Sequence, residues 1–102
     1  MYVLNYWHSV TDYGEWKKIF DRDPLDRQGS GVRRVVIERP IGQENKVVGH
    51  LEFDSLQEAE TFAGRLNEIW NGNASSIVSD TGYTLSEILE DQQLSRSGRR
   101  AA

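Results

Sequence analysis

Two histidines, His8 and His50, are the side chains of this sequence that titrate nearest neutral pH, so they are the first candidates for proton transfer. His50 can act as a general base. Asn5 has an amide that can hydrogen-bond a developing oxyanion, and Trp7 offers a flat wall to an aromatic substrate. His8 and Asp12, four positions apart, form a second candidate acid–base couple; the plainer expectation is that they hold a loop in place. Other chemistries lack their residues. With no Cys there is no thiolate nucleophile, disulfide or cysteine-based zinc site. No H-E-x-x-H or H-x-x-E-H spacing occurs, so no metal site is expected. Gly29-Ser30-Gly31 precedes a strand instead of linking a strand to a helix, so it reads as a turn and not as a phosphate cradle. No Gly-x-Ser-x-Gly elbow is present.

Composition narrows the class further. A length of 102 residues suits one domain, with charged residues at 27% and hydrophobics at 37%. The net charge of −4 argues against a nucleic-acid partner, whose affinity would come from many Lys/Arg–phosphate contacts. No window approaches 18 apolar residues, so no membrane span is expected, and the N-terminus lacks the basic start and apolar run of a signal peptide. The expected location is cytoplasmic.

Spacing places these residues on elements. Residues 2–9 are aromatic and β-branched and read as a strand. Asp12 with Glu15 forms a capping box ahead of the apolar stripe Tyr13, Trp16, Ile19 and Phe20. Asp23-Pro24 interrupts that helix, with one more turn expected from Pro24 under an Asp23 cap. Residues 32–39 and 46–53 read as strands joined in a hairpin through Pro40 to Asn45. Ser55 with Glu58 caps the clearest helix, whose apolar face runs through Leu56, Ala59, Phe62, Ala63, Leu66, Ile69 and Trp70, up to Asn71-Gly72-Asn73. Trp16, Phe62 and Trp70 are expected in the core. Residues 82–91 fit either a short helix or a strand; the element order requires a strand. The domain then spans 1–94, and 95–102 is expected to be a disordered tail. The predicted fold is α+β, a ferredoxin-like βαββαβ unit with a four-stranded antiparallel sheet.

The words filling this order carry a resemblance. Asp12-Tyr13-Gly14-Glu15-Trp16-Lys17-Lys18-Ile19-Phe20-Asp21, Ser30-Gly31-Val32, Asn45-Lys46-Val47-Val48 and Leu51-Glu52-Phe53-Asp54-Ser55, with Glu58-Ala59, resemble the small dimeric α/β-barrel proteins. The sequence is most similar to the bacterial cyclase-like and antibiotic-biosynthesis-monooxygenase-like group. The resemblance implies pairing of two sheets face to face. It also implies a range of activities that includes cofactor-free oxygenases, cyclases, isomerases and haem-binding or haem-degrading proteins. A fold that hosts several chemistries does not choose among them.

A four-stranded sheet with two helices covers one of its faces, and the other face must be polar or find a partner; a homodimer is therefore expected. Val47, Leu51 and Phe53 suit the helix side. Aligning the middles of strands one and three pairs Asn5 with His50, Trp7 with Val48 and Leu4 with Leu51. Val3, Asn5, Trp7, Val48, His50 and Glu52 then lie on the open face, joined by Arg34, Val36 and Glu38. A slip of one residue would send Tyr6 and His8 there instead. On the preferred register, His50 and Asn5 are the candidate catalytic residues. Trp7, Arg34 and Glu52, with Tyr6 and His8 on the alternative, are the candidate substrate contacts. The Asn/Trp/His set resembles what some monooxygenases of this kind use. Two functions stay open. One is a cofactor-independent oxygenase, cyclase or isomerase acting on a small aromatic or polyketide-like compound, with no cofactor implied. The other is a non-catalytic dimeric module in which Arg34, Glu38, His50 and Glu52 form a polar network between the sheets.

Overall fold

In the computed structural model, which describes residues 1–95, the elements run β1 (Tyr2–Val10), α1 (Tyr13–Asp21), β2 (Val32–Glu38), β3 (Lys46–Phe53), α2 (Leu56–Asn71) and β4 (Val78–Glu87). This is the expected βαββαβ order. The four strands form one antiparallel sheet in the order β2-β3-β1-β4. The tail expected from Ser95 lies, beyond Ser95 itself, outside the described residues.

Local chemistry explains the element ends. The Asp12 carboxylate accepts from the Glu15 backbone N–H at 2.9 Å and opens α1; the Ser55 hydroxyl accepts from the Glu58 N–H at 3.1 Å and opens α2. Between β2 and β3, Gln43 N–H donates to the Pro40 carbonyl at 3.0 Å around Gly42, whose φ of 84° suits the third position of a type II turn.

One expectation is sharpened and one needs correction. The turn expected from Pro24 under Asp23 is present, but it does not continue the helix. Asp23 stands at φ 56° and Asp26 at φ 49°, so residues 22–31 form a chain of turns. Asp23 still caps, its carboxylate accepting from the Arg27 N–H at 2.9 Å, but what it caps is a turn. The last strand is Val78–Glu87, four residues earlier at its start than 82–91. Val78 pairs with Val10 and is buried, whereas Leu89 is 84% exposed beyond the strand's end. The register shifts between Trp7 and Ser9, near Asp80 at φ 52°, which is how a polar stretch joins the ladder.

Both helices contribute to the core on one face of the sheet. Leu4 and Tyr6 of β1, Val47, Leu51 and Phe53 of β3, Trp16 of α1, and Ala59, Phe62, Ala63 and Trp70 of α2 are all buried in it. The β1–β3 register is Asn5↔His50, Trp7↔Val48 and Leu4↔Leu51, the pairing that the alternation of residue types favours.

Candidate functional site

Because side chains alternate along a strand, this register divides the candidate residues between two places. Asn5, Trp7, Arg34, His50 and Glu52 occupy the open face. Tyr6 and His8 occupy the opposite face, beneath the helices.

On the open face, four side chains form a connected chain. His50 Nε2 lies 2.7 Å from Glu52 Oε2, and since a carboxylate only accepts, Nε2 is the donor. His50 Nδ1 lies 3.3 Å from Asn5 Oδ1, to which it donates when both ring nitrogens carry protons, and Arg34 Nη1 donates to the same Glu52 oxygen at 3.2 Å. The His50 hydrogen bond holds the Glu52 carboxyl below its ordinary value; burial opposes this and Arg34 adds to it. Both His50 ring nitrogens are thus engaged. Glu38 stands outside the chain, paired in register with Val48. Trp7 lies flat across the sheet over Gly82, where an added Cβ would come within 2.6 Å of the indole.

On the other face, a cavity of about 80 Å³ lies between sheet and helices. Tyr6 and His8 form part of its sheet side, Trp16 and Phe20 its α1 wall, and Leu66 and Trp70 part of its α2 wall. Its lining is aromatic and aliphatic apart from His8, Tyr6 and the pair Asp23 and Arg27. Tyr6 can lie flat here because β3 offers Gly49 opposite it; a Cβ at Gly49 would sit 2.2 Å from the phenol ring. Burial pushes the Tyr6 phenol up to about 12, against the pull of the Arg27 charge.

His8 is only 1% exposed, and its ring packs on Tyr6 at 5.8 Å, Trp16 at 5.5 Å and Trp70 at 6.0 Å between centroids. Burial lowers its pKa to about 4, with the Ser9 backbone pulling the other way, so the imidazole is neutral at physiological pH. Among the described residues its Nδ1 has no hydrogen-bond partner. A buried polar atom without a partner costs about 1–3 kcal/mol, which makes this nitrogen an exception calling for an explanation. The expected His8–Asp12 couple does not form: among the described residues no hydrogen bond or ion pair joins them, and Asp12 is exposed and occupied in capping α1.

Sequence reading missed Arg27, Asp23 and Trp70 as cavity residues. Trp70 read as core, and nothing in the spacing of Asp23 and Arg27 says that a chain of turns carries them to the cavity edge. Asp23 Oδ1 and Arg27 Nε lie 3.4 Å apart, Arg27 Nη1 donates to the Phe20 carbonyl at 2.9 Å, and the guanidinium covers the Phe20 ring at 3.9 Å.

No family model matches the sequence, and no curated protein does. Solved structures do match. A protein of Deinococcus radiodurans provisionally assigned as an antibiotic biosynthesis monooxygenase is 14% identical, with a TM-score of 0.67 over 93% of this chain and 99% of that one. SnoaB, a cofactor-independent oxygenase from Streptomyces nogalater, is 12% identical, with a TM-score of 0.69 over 88% of this chain and 94% of that one. An arginine-to-serine mutant of MhuD, with two manganese protoporphyrin IX bound per active site, is 15% identical, with a TM-score of 0.68 over 91% and 99%. A dimeric ferredoxin-like protein from an uncultured marine organism is 12% identical, with a TM-score of 0.63 over 91% and 98%. The chain therefore has the ferredoxin-like fold of the antibiotic-biosynthesis-monooxygenase-like proteins.

Proposed function

We propose that this protein is a homodimer that seats the edge of a small, flat, hydroxylated aromatic compound at the cavity between its sheet and helices, and acts there as a cofactor-independent oxygenase. One observation carries the reading: a neutral, buried histidine, with an Nδ1 that has no partner among the described residues, stands in the lining of a largely aromatic and aliphatic cavity. A ligand ring edge would pack against Trp16, Phe20 and Trp70, and a ligand hydroxyl would supply the hydrogen bond that Nδ1 lacks once the imidazole turns this fully buried nitrogen toward the cavity. An imidazole with so low a pKa is a weak base, so His8 serves chiefly to orient the hydroxyl. The likeness of fold to SnoaB supports oxygenation as the reaction class. A porphyrin does not fit: about 80 Å³ is roughly half the ~150 Å³ of a cavity that holds benzene, and no step is assigned to one.

On this reading the chain Asn5–His50–Glu52–Arg34 belongs to the face that meets the second copy. Both His50 nitrogens already have partners, which suits a polar network better than a base awaiting substrate. The test is 2-naphthol binding, read by quenching of tryptophan fluorescence, and oxygen uptake across a panel of hydroxylated aromatics. Saturable binding that is lost in a cavity-filling Leu66→Trp variant is expected. Oxygen uptake should survive His50→Ala and fall in His8→Phe. Binding indifferent to Leu66→Trp, or uptake lost with His50 and kept without His8, would overturn the assignment.

A further inference from the structure

The cavity has a neighbour. Along the edge strand β2 runs an open groove of about 460 Å³, lined by Asp23, Arg27, Gln28, Val32, Arg33, Arg34 and Val35. Asp23 and Arg27 line both spaces, so the Asp23–Arg27 pair is the partition between an apolar chamber and a groove that carries three arginines against one carboxylate. We infer that chamber and groove are two halves of one site, and that its ligand is an aromatic acid that lodges one ring edge in the chamber and lays its carboxylate in the arginine groove. This rests on the cavity reading above and adds the ligand's charge and direction.

Three observations support it. The chamber is too small to enclose a whole ring, at about 80 Å³ against ~150 Å³ for a benzene-sized cavity, so a ligand held there must project out of it. The charged residues in its lining, Asp23 and Arg27, mark the side where a polar substituent can leave. The arginines keep donors to spare. Arg27 uses Nη1 on the Phe20 carbonyl and Nε toward Asp23, and Arg33 turns Nε and Nη2 to the single oxygen Asp54 Oδ2, whereas Arg34 is committed to Glu52 on the open face and takes no part. Each guanidinium has five N–H groups, and a planar carboxylate matches two of them at once. The Asp23 carboxylate opposes an incoming anion, so Arg27 must loosen its contact with Asp23 to receive one.

Isosteric probes separate charge from shape: 2-naphthoate and its neutral amide, 2-naphthamide, titrated by calorimetry at low and high salt. The acid should bind about tenfold more tightly than the amide, as befits charge-assisted hydrogen bonds, and the advantage should shrink with salt. Arg27→Gln should bring the acid to the level of the amide measured in the same variant. Arg33→Gln, at an exposed position outside the core, should weaken the acid alone by about threefold and guards against a folding defect at Arg27. Leu66→Trp should abolish both. Equal affinity for acid and amide would overturn the two-part site and leave the cavity reading standing. Acid binding that ignores Leu66→Trp would place the anion on the surface arginines alone and overturn it too. No binding of either probe would defeat both readings.

Discussion

His8 is held neutral among aromatic rings, and that has a thermodynamic signature. Its pKa falls from 6.5 unfolded to about 4 folded, so between those values the unfolded chain takes up a proton that the folded chain refuses. The stability this confers is fully present above pH 6.5 and is lost as pH falls from 6.5 through 4, by about 3 kcal/mol in all. Glu52, held below its ordinary 4.5, adds an acid loss that sets in only below that pH. Urea unfolding at pH 7.5 and 5.0 should therefore show a clear loss in the wild type and a much smaller one in His8→Phe. At pH 7.5 the same variant should be at least as stable as the wild type, because it removes an unpartnered nitrogen from an apolar site. A His8→Phe protein that is destabilised at pH 7.5 and keeps the full acid loss would contradict this account.

At the scale of elements, the sheet is shaped by two glycines that make room for rings on opposite faces. Gly49 on β3 accommodates Tyr6 on the cavity side, and Gly82 on β4 accommodates Trp7 on the open side. Gly49→Ala forces a methyl into a buried ring and should cost about 1–3 kcal/mol, read from the urea midpoint. Gly82→Ala should cost less in the monomer, since Trp7 is only half-buried, and should act mainly on pairing. Trp7→Ala should relieve the Gly82→Ala defect in a double-mutant cycle, and additivity of the two changes would show that the indole does not lie over Gly82.

For the whole molecule, the described residues leave the face of Asn5, Trp7, His50 and Glu52 without a covering layer, and this is where the proposed second copy would lie. Sedimentation at tens of micromolar should give a dimer. Glu52→Ala should weaken it more than Arg34→Ala, because Glu52 accepts from both His50 and Arg34 whereas the Arg34 side chain is 63% exposed. A wild-type monomer at that concentration would remove the dimer from the proposal and leave the cavity between sheet and helices untouched.

Much of the architecture was written in local signals. Asp12 and Ser55 announce their helices because an N-cap is satisfied within three residues, and the alternation Val47, Leu51, Phe53 against Val48, His50, Glu52 sorts β3 into faces with period two. Aligning the middles of β1 and β3 then put His50 beside Asn5, as observed. β4 was harder to place. An edge strand exposed on most of its length, with Ser79, Asp80 and Thr81 at its start, has the composition of a loop, and only pairing with Val10 and Ser9 makes it a strand. The cavity was not legible at all. Tyr6 and His8 could be assigned a face but not a space, because a void belongs to the fit among β1, α1, α2 and the turns of 22–31 and to none of them singly. Local sequence determined the elements, their caps and the two faces of the sheet, since those depend on neighbours within a few residues. Tertiary packing alone decided that His8 Nδ1 has no partner among the described residues and that Asp23 and Arg27 stand between chamber and groove, since those depend on groups brought together from across the chain.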